Sequence, residues 1–223
     1  MSVDKDQLRK LQWSIMEQVS ACSILPLMRI GDELNLFFTL AENGPCSISV
    51  FSETAGIDER YAREWLYAMC AANYCCHDKE FQNFHLSEEQ KMVFAYEDSP
   101  ALMIGAYDIL AGNVHGIDKV LEAFKTGEGI EYGNFHPCVF QGTARFFKPS
   151  YKSNLIQKWM PKIPLAEQKL KDGGRLCDVG CGKGLSTILL ASEYKTASFV
   201  GYDIHAPSID EANKDAKEAG LDD

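Results

Sequence analysis

Read from the N-terminus, the apolar positions Leu8, Leu11, Ile15, Val19 and Cys22 recur at steps of three and four. That spacing predicts an amphipathic helix, which Pro26 ends or kinks. Asp32 to Glu42 reads as a second apolar helix, stopped by the turn Asn43-Gly44-Pro45. From Ser47 to Leu86 the pattern becomes helix, turn, helix, strand, strand. Ser47 to Thr54 is a short helix and Gly56 the turn, and Asp58 caps a longer helix that carries Tyr61, Trp65, Leu66 and Met69. Tyr74–His77 and Phe81–Leu86 flank Asp78-Lys79-Glu80 as a hairpin. This is the layout of a winged helix. Ser87-x-x-Gln90 is a capping-box signature for one further helix. Two helical stretches follow beyond Pro100, separated near Gly112-Asn113. Then come the irregular, glycine-rich Gly127–Phe135 and a run of aromatics from Tyr132 to Trp159, in which His136 reads as a structural residue.

The pattern changes at Arg175. Leu176, Cys177 and Val179 form a short apolar run of the kind found in a buried parallel strand. Gly180, Gly182 and Gly184 come next, and then Leu185, Ile188, Leu189 and Leu190 at helical spacing. A second strand, Ala197–Tyr202, ends in Asp203, and Ser208-x-x-Glu211 reads as a capping box for a last helix that Gly220 ends. A glycine turn between strand and helix brings backbone amides close to a ligand. It is not a dinucleotide fingerprint, because Leu185 stands where GxGxxG would place its third glycine.

Composition narrows the classes. The chain has 223 residues, 46% hydrophobic and 24% charged, an ordinary globular balance. The formal charge of −10 disfavours binding to nucleic acid or to an anionic membrane. Over residues 47 to 90 there are eight acidic residues and three basic ones, so the winged helix would repel phosphates that a DNA reader must neutralise. The eight cysteines form no CxxC pair, which points to reduced thiols, no metal site and a cytoplasmic setting. The charged N-terminus fits neither a signal peptide nor a membrane span.

Asp178-x-Gly180-x-Gly182-x-Gly184 followed by Asp203 at the next strand end resembles motif I and the following acidic residue of class I methyltransferases that use S-adenosylmethionine (SAM). The stretch from Gly31 to Tyr74 is similar to the winged-helix domain that precedes the Rossmann-like domain in a group of them. The resemblance implies an α/β chain in three parts: a winged-helix dimerisation domain over 1–98, a helical connector over 99–170, and a partial Rossmann-like SAM domain over 171–223. It implies a cofactor set of Asp178, Gly180, Cys181, Gly182, Gly184, Asp203 and Ile204, with the glycines at the methionine end and Asp203 on the ribose. Phe140 and Gln141 are expected to line the acceptor pocket, and Arg145 to pair with the SAM carboxylate. The expected activity is methyl transfer to a small molecule by a homodimer, with no catalytic base assigned. Only two of the seven strands of that fold are found, so the chain reads as cut short after the second strand and its helix. The alternative is a catalytically incomplete dimerisation module derived from such an enzyme.

Overall fold

The computed structural model describes residues 3–221, which fall into two compact units, one up to Tyr96 and one from Glu97 onward.

In the first unit the Asp4 carboxylate accepts the amides of Asp6 and Gln7 and starts helix α1 (Lys5–Ser23). No residue of α1 is buried. Pro26 falls in the first turn of α2 (Leu25–Glu33), where a missing N–H costs nothing. The single helix expected over Asp32–Glu42 is two: the chain breaks at Leu34-Asn35 and resumes as α3 (Leu36–Asn43). Asn35 takes a left-handed conformation, φ 53°, which asparagine tolerates better than most residues. The break turns Leu36, Phe37 and Leu40 into the core beside Met28.

Ser47 caps α4 (Ile48–Ala55), and Asp58 caps α5 (Glu59–Ala71) by accepting the amides of Arg60 and Tyr61. Helix α5 buries Ala62, Trp65, Leu66 and Met69, while Tyr61 faces out, against expectation, because it lies one position off the buried stripe. Trp65 stacks on Phe51, meets Phe37 edge-on at 5.0 Å and donates its indole N–H to the Leu27 carbonyl at 3.0 Å. Gly31 makes this possible, since a Cβ there would lie 2.7 Å from the Trp65 ring. The wing is shorter than expected: β1 (Cys76–His77) pairs antiparallel with β2 (Phe84–His85), and Cys46 bridges to Phe84. Asp78 curls the intervening loop by accepting the amides of Gln82 and Asn83, bonds that hold its carboxyl below the usual range. Helix α6 (Glu88–Phe94) carries the expected capping box between Ser87 and Gln90. Helices α3 to α5, the hairpin and α6 make up a winged helix.

The second unit begins with buried Leu102 and Ile104 and continues as α7 (Gly105–His115) and α8 (Ile117–Thr126). The break falls at Gly116; Gly112 is instead a packing glycine, where a Cβ would lie 2.5 Å from Val139 Cγ2. Helix α9 (Pro137–Asn154) is capped by His136 and lies against α7 at backbone contact, with Gly142 over Asp108. A π-helical turn at Leu155–Trp159 and a 3-10 turn lead to α10 (Pro164–Lys171). Then follow β3 (Arg175–Val179), α11 (Leu185–Glu193), β4 (Ser198–Tyr202) and α12 (Ala206–Glu218).

Strands β3 and β4 are parallel, with Asp178 opposite Gly201 and Val179 opposite Tyr202. One sheet face, with Leu176 and Phe199, packs on Leu155, Met160, Leu170, Leu190 and Tyr194. The other carries Cys177, Val179, Val200 and Tyr202, all exposed, so of the apolar run in β3 only Leu176 reaches the core. Ser208 is not the cap of α12. It sits in the first turn and meets His205 Nδ1 at 2.7 Å, because the helix already begins at Ala206. Gly220, at φ 69°, ends the helix as expected. Among the described residues no helix is long and apolar enough to cross a membrane.

Candidate functional site

The parallel register brings the tips of β3 and β4 to the same end of the sheet, and the loop between β3 and α11 folds back over β4. The amides of Gly180 and Cys181 both donate to the Tyr202 carbonyl, at 2.7 and 3.1 Å. Gly180, Gly182 and Gly184 all have positive φ, a conformation a side chain would strain. Their surroundings separate two uses. A Cβ at Gly180 or Gly182 would meet nothing within 4 Å, so these two leave open space before the loop; at Gly184 it would lie 2.9 Å from Ala212, so this glycine lets α12 approach.

The two strand-end carboxylates are fixed in different ways. Asp178 accepts the hydroxyls of Ser186 (2.9 Å) and Thr187 (2.7 Å), both on Oδ2, and among the described residues nothing hydrogen-bonds to Oδ1. Asp203 takes the Gly182 amide on Oδ2 and the His205 amide on Oδ1, each at 2.8 Å, so it ties the loop to the start of α12. Each oxygen of Asp203 keeps a second acceptor position. No side chain caps α11, and its first-turn residues Leu185 and Ser186 line the cleft, so an N-terminal set of amides remains for a ligand.

This cleft holds about 190 Å³. One side is the loop with Asp178 and Asp203, and the other is α9 with Phe140, Thr143, Ala144, Phe147 and Tyr151, closed by Tyr132. Phe140 meets Tyr132 edge-on at 5.0 Å and stacks on His205 at 4.0 Å. Cys181 also lines it; burial, then the charges of Asp178 and Asp203, push its thiol up, which keeps it protonated and a poor nucleophile. Its sulfur fills the space over Gly201, where a Cβ would lie 2.7 Å away.

Asp178, Gly180, Cys181, Gly182 and Asp203 therefore border one cleft, together with Phe140. Ile204 lies outside it, 84% exposed, in an open depression that shares Tyr132, Gly180 and Asp203 with the cleft. Two expectations are corrected. Gln141 is exposed and does not line the cleft, since it points off the face of α9 that carries Phe140 and Ala144. Arg145 does not line it either: its guanidinium is held by Glu97 and, at 3.4 Å, by Asp108. Sequence reasoning passed over Lys183, which lines the cleft and whose ammonium lies 2.5 Å from Glu211 Oε2. Its place between Gly182 and Gly184 was the available signal.

The described chain is thus a winged helix followed by a parallel β-loop-α-β unit with a carboxylate at each strand tip. The comparisons with known proteins agree: residues 21–95 match the family model of the Rv2258c-like winged HTH domain and residues 170–223 that of a methyltransferase domain. The chain is also similar to a protein from Nostoc punctiforme assigned as an O-methyltransferase, with 18% identity and a TM-score of 0.67, covering 93% of this chain and 61% of the other. The mitomycin 7-O-methyltransferase MmcR gives 14% identity and a TM-score of 0.66, over 98% of this chain and 65% of the other. CalO1, a methyltransferase in calicheamicin biosynthesis solved in its SAH-bound form, gives 17% and 0.54, over 94% and 62%. At these identities the likeness is one of fold, and the chain spans about three fifths of the length of the solved structures it matches. No curated protein matches it.

Proposed function

We propose that the cleft is the SAM site of a methyltransferase acting on a small molecule. The observation that carries this reading is that both strand-end carboxylates open to one cleft while each is held by two hydrogen-bond donors. The residues fit the cofactor. Oδ1 of Asp178 would take the methionine ammonium, the spare acceptor positions of Asp203 the two ribose hydroxyls, and the open backbone at Gly180 and Gly182 would admit the methionine end. When bound, SAM supplies an electrophilic sulfonium methyl group. The chain's own part is then to hold, align and dry the reactants. Tyr132, Phe140, Phe147 and Tyr151 give the cleft an aromatic wall that limits its contact with water. That CalO1 was solved with SAH supports the choice of cofactor. The acceptor is read as a small molecule on the strength of MmcR, a mitomycin 7-O-methyltransferase, and CalO1, a methyltransferase in calicheamicin biosynthesis.

Helix α1 favours a second role beside this one. It leaves Leu8, Leu11, Ile15 and Val19 about half exposed, and a second copy of the chain would cover them, making the N-terminal unit a homodimerisation module. If the cleft binds nothing, that module becomes the primary reading.

Titration calorimetry of SAM into the full chain tests both. Wild type should bind, and Asp203→Ala should weaken binding by about tenfold to a hundredfold, the worth of hydrogen bonds to a charged group. Asp58→Ala, in the winged helix, should leave the affinity unchanged. Equal affinities in the two variants would overturn the donor-site assignment, and a folded wild type that binds no SAM would leave the interaction module.

A further inference from the structure

Arg145 is engaged by Glu97 and Asp108 and lies outside the cleft, so the carboxylate of a bound methionine end needs another partner. Among the residues that line the cleft, Lys183 is the one basic side chain, and Asp178 and Asp203 are the two acidic ones. SAM carries two cationic centres, sulfonium and ammonium, and one anionic centre, the carboxylate. With Asp178 read as the partner of the ammonium and Asp203 of the ribose, Lys183 is the cation left for the carboxylate.

We propose that Lys183 is the residue that recognises the carboxylate of the amino-acid end of SAM. This rests on the donor-site reading above. A lysine ammonium has three donors. Here one contact is made, to Glu211 Oε2 at 2.5 Å, and among the described residues no other acceptor is engaged. The lysine side chain is 23% exposed and that of Glu211 52%. An ion pair with so exposed a partner is weak, and exchanging or sharing it costs little. Glu211 also sits one turn beyond Ser208, which itself lines the cleft, so the ammonium is parked at the rim. Lys183 stands between two left-handed glycines, Gly182 at φ 55° and Gly184 at φ 72°, in the loop that borders the cleft. Glu211 thus acts as a placeholder anion: it holds the ammonium until a ligand carboxylate takes one of the remaining N–H groups.

The competing role for Lys183 is to pin α12 to the loop through Glu211, and the test separates the two. Lys183→Met and Glu211→Gln are titrated with SAM and with decarboxylated SAM, which keeps the sulfonium and the ammonium and lacks only the carboxylate. Lys183→Met should weaken SAM by about tenfold or more, the worth of a charge-assisted hydrogen bond, and decarboxylated SAM by less than about twofold. Glu211→Gln should leave SAM binding unchanged or tighter, since it releases the ammonium. Unchanged SAM affinity in Lys183→Met, equal losses for the two ligands, or a Glu211→Gln loss as large as that of Lys183→Met would each overturn the inference. Wild type that binds neither ligand would instead sink the donor-site reading on which it stands.

Discussion

The two units bury their apolar residues in different ways. In the first, Met28, Phe37, Leu40, Phe51, Leu66, Met69 and Phe84 are sealed from solvent, and the aromatic contacts of Trp65 join α3, α4 and α5 into one core. In the second, the β3–β4 sheet is covered on one face only: Leu190 and Tyr194 pack beneath Leu176 and Phe199, while Val179 on the other face is 82% exposed. Parallel sheets are in general covered on both faces. Yet both strand-end carboxylates are held by hydrogen bonds in this half-covered unit. Every bond that fixes Asp178 and Asp203 comes from the loop, the first turn of α11 or the residues just after β4. Precision at a site and burial in a core are separate achievements, and here they fall in different places.

Three substitutions probe that contrast. The largest effect belongs to the sealed core: Phe37→Ala removes a ring packed against Trp65 and Phe94 and should cost about 3–5 kcal/mol, read from the urea midpoint of the full chain by tryptophan fluorescence. A smaller loss is expected where the second unit is tight. Gly142→Ala would put a Cβ 2.5 Å from Asp108 Cβ and 2.7 Å from the Ile109 amide, and forcing α7 and α9 apart should cost about 1–3 kcal/mol. Substitution with no loss would mean that the helix pair is looser than described. The smallest effect is expected on the open sheet face, where Val179→Lys should change stability by no more than about 0.5 kcal/mol. A loss above about 2 kcal/mol there would show that the face is buried in solution, and the contrast between the units would fall.

Most of what could be read ahead was local. The caps Asp58 and Ser87–Gln90 were legible because a side chain that bonds an amide two or three residues on needs nothing from the rest of the molecule. The break at Asn35 was not legible, since apolar residues continue from Leu34 through Leu36 to Phe38, and the bend goes with the burial of Leu36, Phe37 and Leu40 in the core. Ser208 shows the reverse: a valid capping signature was overridden because the cap position falls three residues earlier, at His205. Gly112 looked like a helix break and proved to be a contact surface for Val139, a role that depends on α9 lying against it.

The sequence by itself determined the winged-helix layout, the glycine loop and a carboxylate at each strand tip, because each is signalled locally by caps, turn glycines and short apolar runs. Only the tertiary structure decided which charges meet. It gave Arg145 to Glu97 and Asp108, far off in sequence, and it left Lys183 at the mouth of the cleft beside Glu211. Such pairings are fixed by how helices pack, and a long charged side chain can reach any of several partners until packing removes the others.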